Sequence, residues 1–201
     1  MKKFMIAAVA AAAMAFAGTA SAALVPGVFD PGHTGCPVAT VQNGWLHLEK
    51  NCANATNASA GADITGLTGQ TFTSASFTLK STTQCQGGSP RFNIVTTTGT
   101  FFLGCNNVTP VVNTDGTATY SFTAANAFPS AVTGTITSAE VLIDIQGVAD
   151  VKNVIVNGIP QNIKHAHKHK HHHHDNGKHN GDENGHHGHH HHGGDNDQDD
   201  D

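Results

Sequence analysis

The sequence predicts an all-β fold for residues 23–163, an antiparallel β-sandwich of jelly-roll type, followed by a disordered C-terminal tail. Three observations carry this reading. The segment is rich in Thr, Val, Gly, Ser and Asn and poor in Glu, Lys, Leu and Arg, a balance that favours strands and turns over helices. Apolar and polar residues alternate over short runs separated by turn-forming residues. No stretch carries a long apolar pattern with the 3.6-residue period of a capped helix, and no internal repeat is present.

The strand candidates follow in order. Segments 38–41 and 45–49 flank Asn43-Gly44, the strongest short hairpin signal. Phe77 and Leu79 alternate with Thr78 and Lys80, and Phe92 and Ile94 alternate with Asn93 and Val95. Tyr120 and Phe122 follow a turn at Asp115-Gly116. Val141, Ile143 and Ile145 alternate with Leu142, Asp144 and Gln146. Val154 and Val156 are expected to close the domain before Gly158. Several short strands at this spacing point to a sandwich.

The first 22 residues are set apart from the fold. Lys2 and Lys3 precede an uncharged apolar run over 4–17, and Ala20-Ser21-Ala22 has the small-x-small form of a signal-peptide cleavage site. The run is shorter than the ~20 residues of a membrane span, so no stable membrane insertion is expected. Such a leader implies export to the bacterial periplasm or the extracellular space, with a mature chain beginning near Ala23. In that oxidising setting Cys36, Cys52, Cys85 and Cys105 read as two disulfides. No Cys-x-x-Cys pair suggests a zinc ribbon or redox motif. Of three connectivities the sequential one, Cys36–Cys52 and Cys85–Cys105, is favoured. Each such loop contributes about 3 kcal/mol in the chain-entropy model.

Charge narrows the partners. The domain holds Lys50, Lys80, Arg91 and Lys152 against seven acids, a net of −3, and residues 164–201 hold four lysines against eight acids, a net of −4. A nucleic-acid binder needs a basic face, and neither part has one.

Gly87-Gly88-Ser89-Pro90-Arg91-Phe92-Asn93-Ile94, followed by Phe102-Leu103-Gly104-Cys105, resembles a pattern in uncharacterised secreted bacterial β-sandwich proteins. The ending Lys152-Asn153-Val154-Ile155-Val156-Asn157-Gly158 is similar to the last strand of jelly-roll, carbohydrate-binding-like modules. The resemblance spans roughly residues 36–158. It implies the fold and brings no activity with it.

Within the domain, two places suggest ligand binding. Arg91, the only arginine, stands beside a Gly-Gly-Ser-Pro turn. Its guanidinium can grip a carboxylate or sugar hydroxyl, or pair with a neighbouring acid. Trp45, His47 and Glu49 share one face of a strand. They suggest a sugar platform, a contribution to a metal site, or an ordinary solvent-facing surface. His33 reads as a loop residue. There is no Gly-x-Ser-x-Gly elbow, His-Glu-x-x-His helix or phosphate-binding glycine loop, so no catalytic residue is assigned and the protein is not expected to be an enzyme.

The tail carries the strongest chemical signal. Fourteen of the sixteen histidines fall between residues 165 and 192: His165, His167, His169, His171, His172, His173, His174, His179, His186, His187, His189, His190, His191 and His192. After Ile163 no apolar residue is larger than Ala166, so the segment has nothing with which to build a core. Neutral imidazole is a preferred ligand for Zn, Cu and Ni. A flexible chain so dense in histidine can gather two to four rings about one ion. The expected cofactor is therefore a divalent transition metal, Zn, Ni or Cu. The alternative is a carbohydrate- or surface-binding module that recognises cell-surface glycans, with the tail as an accessory.

Overall fold

The computed structural model describes residues 22–163; residues 1–21, nearly all of the expected leader, and residues 164–201, including every tail histidine, lie outside the described residues. The described chain is a two-sheet β-sandwich, with only three short 3₁₀ turns, Thr82–Gln84, Cys105–Asn107 and Ala124–Asn126, as helical structure.

Thirteen strands are present: β1 Ala23–Phe29, β2 Pro37–Gln42, β3 Trp45–Lys50, β4 Ser59–Ile64, β5 Ser74–Leu79, β6 Arg91–Thr96, β7 Gly99–Gly104, β8 Val111–Val112, β9 Ala118–Thr123, β10 Ile136–Ile143, β11 Gly147–Val156, β12 Ile159–Pro160 and β13 Asn162–Ile163. One sheet runs β13-β1-β4-β10-β6-β7; the other runs β2-β3-β11-β5-β9-β8, with β12 added to β11. All pairings are antiparallel except that of β13 with β1.

The β2–β3 hairpin turns at Asn43 (φ 52°) and Gly44 (φ 77°), the left-handed pair that a two-residue turn of this twist requires. Alternation then decides the core. Leu46 and Leu48 of β3 are fully buried, while Trp45, His47 and Glu49 face outward. Phe77 is the hub. Its ring centroid lies 5.4 Å from Phe92 of the opposing sheet and 5.5 Å from both Tyr120 and Phe122. Phe92 meets Phe122 edge-on at 5.8 Å, so the two sheets are joined through their aromatic rings.

The disulfides are Cys36–Cys52 and Cys85–Cys105, with Cα–Cα separations of 5.7 and 5.8 Å. The first fastens the start of β2 to the loop after β3, and the second fastens the loop before β6 to the end of β7. Two disulfides fit an oxidising environment. Among the described residues no helix is long and apolar enough to cross a membrane.

Several expectations are corrected. The alternating pattern over 141–146 breaks at Ile143, where β10 ends, leaving Ile145 in the following bend. Leu142, expected on the polar face, is only 4 % exposed. It lies against Gly61, where an added Cβ would stand 2.7 Å from the Leu142 Cβ and 2.7 Å from the Val141 carbonyl oxygen. The domain does not close before Gly158: β12 and β13 follow, and β13 covers the edge of β1. Strands β1 and β4 had no period-2 signature to betray them, because β4 (SAGADI) is made largely of small residues.

Candidate functional site

Two polar networks occupy the outer faces of the two sheets. The first grows from β3. Its period-2 geometry presents Trp45, His47 and Glu49 outward, and the register sets Asp150 of β11 directly beside His47. Asp150 accepts a 2.9 Å hydrogen bond from His47 Nδ1, a 3.0 Å bond from Gln84 Nε2 and a 3.1 Å contact from Lys80 Nζ. Burial alone pushes the Asp150 carboxyl upward, but the bonds from His47, Gln84 and Lys80 outweigh it and hold the carboxyl below its ordinary value. An ionised Asp150 places the proton of the shared bond on Nδ1. His47 Nε2 lies 3.7 Å from Glu49 Oε2.

Trp45 is taken as well. Lys152 Nζ sits 4.2 Å from the ring centroid and Lys80 Nζ 5.4 Å from it, a cation–π arrangement in which ammonium groups occupy the aromatic surface. A sugar stacking on Trp45 would have to displace them. Glu49 and Asp150 approach opposite nitrogens of His47. Among the described residues no group of three or more His, Cys, Asp or Glu is placed to hold an ion.

The second network surrounds Arg91. Its Nη1 donates to Asp144 Oδ2 at 2.6 Å and its Nε to Asn93 Oδ1 at 2.8 Å. Asn93 Nδ2 continues to Glu140 Oε1 at 2.7 Å, and Ser89 Oγ donates to Asp144 Oδ1 at 2.8 Å. The result is a ladder, Glu140–Asn93–Arg91–Asp144–Ser89, running across β10 and β6. Burial raises the Asp144 carboxyl, and the bonds from Arg91 and Ser89 more than reverse this, leaving it below the ordinary range. The guanidinium also stacks on Phe102 of β7, 5.2 Å from its centroid. Arg91 therefore pairs with a neighbouring acid, as one of its two sequence readings expects.

Sequence reasoning passed over the partners Asn93, Asp144 and Asp150, and also Phe102 and Phe128. Phe128 forms an isolated antiparallel bridge with Phe102, each donating a 2.9 Å backbone hydrogen bond to the other, and its side chain is 66 % exposed. Lys50 was also missed as a structural residue. It is 1 % exposed, and its Nζ donates to the carbonyl oxygens of Asn54, Thr56 and Asp144 at 3.3, 2.8 and 2.6 Å. It had no signal, since a lysine ending a strand ordinarily faces water.

The depressed carboxyls make a pH prediction. A carboxyl lowered in the folded state adds stability that is fully present above its unfolded pKa of about 3.9, and this is lost as pH falls through the folded value. Thermal unfolding of the native protein should therefore shift to lower temperature below about pH 4. In Asp150→Asn the midpoint at neutral pH is lower and the decline on acidification is shallower. Melting curves between neutral pH and pH 2 check this; parallel declines in the two proteins would remove Asp150 from the account.

No protein-family model, curated protein or solved structure matches this chain. Function therefore rests on the residues themselves.

Proposed function

We propose that this chain is an exported, non-enzymatic binder of transition-metal ions, which takes up Zn, Ni or Cu through its histidine-rich tail for buffering, storage or delivery. The observation that carries the reading is the density of imidazole: fourteen histidines between residues 165 and 192, interleaved with Gly, Asn, Asp and Lys and followed by Asp195, Asp197, Asp199, Asp200 and Asp201. Imidazole nitrogen is the right donor for these metals, and a chain with no core to build is free to wrap an ion. Ordering such a chain costs entropy, so each site is weaker than a preformed one, and several ions share the tail.

The domain supports this as a carrier. Among the described residues its strands run from Ala23 to Ile163, one disulfide fastens the start of β2 to the loop after β3 and the other the loop before β6 to the end of β7, and β1 begins at Ala23, the residue that the Ala20-Ser21-Ala22 cleavage pattern would release. Export to the periplasm or medium follows as part of the same proposal.

Calorimetric titration of the mature protein with Zn(II), Ni(II) and Cu(II) near neutral pH tests it, beside a chain ending at Ile163. The full protein is expected to bind more than one ion at micromolar or tighter affinity, with Cu(II) highest by the general order of divalent metals, and the shortened chain to bind none. Heats that are absent, or the same in both proteins, would end the metal reading.

A further inference from the structure

The outer face of the β13-β1-β4-β10-β6-β7 sheet carries a feature that the metal reading does not use. Across five strands the register aligns Gly27, Gly61, Leu142, Arg91 and Gly104 in one row. Three of the five are glycines, so the row is low at β1, β4 and β7 and rises at Leu142 and Arg91. At Gly104 a Cβ would stand 2.7 Å from the Gly88 carbonyl oxygen, so nothing larger fits this floor. The row beside it is Val25, Asp63, Glu140, Asn93 and Phe102, taller and mostly polar. Phe29, paired with Ser59, bounds the other side at the β1 end.

With the taller row along one side and Phe29 at one end of the other, the low row forms a trough crossing the strands. Three depressions mark it, of about 190, 280 and 330 Å³. Phe29, Ser59, Glu140 and Leu142 border both the first and the second, and Arg91 borders both the second and the third. At the usual strand spacing, β1 to β7 spans roughly 19 Å. Two of the depressions fall below the roughly 300 Å³ at which sites that enclose a compact ligand begin, and the third barely exceeds it. The shape suits a chain laid across the sheet.

The chemistry of the walls narrows that chain. Aromatic rings stand at both ends: Phe29 is 54 % exposed, and Phe128, bridged to Phe102, is 66 % exposed. Between them runs the ladder of Glu140, Asn93, Arg91 and Asp144, held by its own hydrogen bonds and so already organised. Asp63, the cross-strand neighbour of Glu140, and the Asn106 carboxamide have no hydrogen-bond or ion-pair partner among the described residues. A ligand must therefore offer donors to carboxylates and both donors and acceptors to amides, together with apolar faces for the rings. Hydroxyl groups on a pyranose ring do both. The charge is three carboxylates, Asp63, Glu140 and Asp144, against the one guanidinium of Arg91, which is spent on Asp144. That balance repels sulfated, phosphorylated and uronate chains.

We infer that this trough, from Phe29 to Phe128, binds an extended neutral oligosaccharide, with the phenylalanine rings stacking on sugar faces and the Glu140–Asn93–Arg91 ladder reading hydroxyls. The site lies on the opposite sheet from Trp45, and it stands independently of the tail.

The test uses the full mature chain, titrated with neutral hexasaccharides of glucose, xylose, mannose and N-acetylglucosamine, and with hexagalacturonate and a lysine-rich peptide as comparators. At least one neutral hexasaccharide is expected to bind. Phe128→Ala and Asn93→Ala should weaken it tenfold or more, and Trp45→Ala should leave it within twofold. Phe128 is exposed, so its replacement reports on binding without threatening the fold. The inference is overturned if no neutral hexasaccharide binds at millimolar concentration or if hexagalacturonate or the peptide binds more tightly. Sensitivity to Trp45→Ala in place of Phe128→Ala would overturn it too.

Discussion

Replacing Lys50 by methionine should destabilise the fold by about 3 kcal/mol or more, over a hundredfold in the folding equilibrium. Methionine preserves an unbranched apolar stem, so the change isolates the ammonium group. That group is 1 % exposed and donates three hydrogen bonds, to the carbonyls of Asn54, Thr56 and Asp144. Charge-assisted bonds of this kind are each worth about 1.5–3 kcal/mol, and removing the donor leaves three carbonyl oxygens to find other partners. The lost desolvation cost of the cation offsets part of this, which is why the expected figure is well below the sum. The three acceptors belong to the loop after β3 and to the residue following β10, so Lys50 ties β3, the strand next to the edge of one sheet, to a central strand of the other. Urea unfolding under oxidising conditions is the measurement. Lys152→Met, which loses the surface contact with Trp45 and an attraction to the exposed Asp115 carboxylate, should change stability by less than about 1 kcal/mol. A Lys50→Met midpoint indistinguishable from that of Lys152→Met would mean that water replaces the ammonium without cost.

The second large effect concerns the proposed metal binding. Acidification from about pH 7.5 to pH 5 should weaken the affinity for Zn(II) by roughly a thousandfold. Imidazole with a reference pKa near 6.5 is about nine-tenths neutral at the higher pH and only about 3 % neutral at the lower one. Each ring that must be deprotonated to coordinate therefore costs about thirtyfold, and a site built on two rings about a thousandfold. The direction is set by competition between proton and metal for the same nitrogen lone pair. Equilibrium dialysis with zinc at the two pH values measures it. Retention of zinc at pH 5 would point to carboxylates as the main ligands, which the eight acids of residues 164–201 can supply, and not to the histidines. The domain's own acid response lies lower, below about pH 4, so metal release and unfolding are separable on the same pH axis.

How much of this was legible in the chain differs from place to place. The β2–β3 hairpin was readable because its signal is local: Asn43-Gly44 alone sets the turn, and period-2 alternation then assigns Leu46 and Leu48 to the core and Trp45, His47 and Glu49 to the surface. The Arg91 surroundings were half readable. Its place at the start of β6 follows from the turn before it, but Asp144 lies 53 residues away and meets it only because β10 pairs with β6. Asp150, 103 residues from His47, is the same case on the other sheet. The trough was not readable at all, since its glycines come from three strands and become a row only in register.

Composition and short-range pattern by themselves determined the all-β class, the sequential disulfide pairing as the favoured one, and the concentration of imidazole after residue 164. These rest on interactions between near neighbours, or on the mere amount of a residue type. Tertiary structure alone decided which strands lie side by side, that Leu142 is buried over Gly61, that Lys50 turns inward to three carbonyls, and that Arg91 and His47 are already engaged by acids. The physical reason is that sheet order is a collective outcome. It is chosen by how whole faces bury their apolar area and satisfy their polar groups, and no window of sequence contains both partners of such a contact.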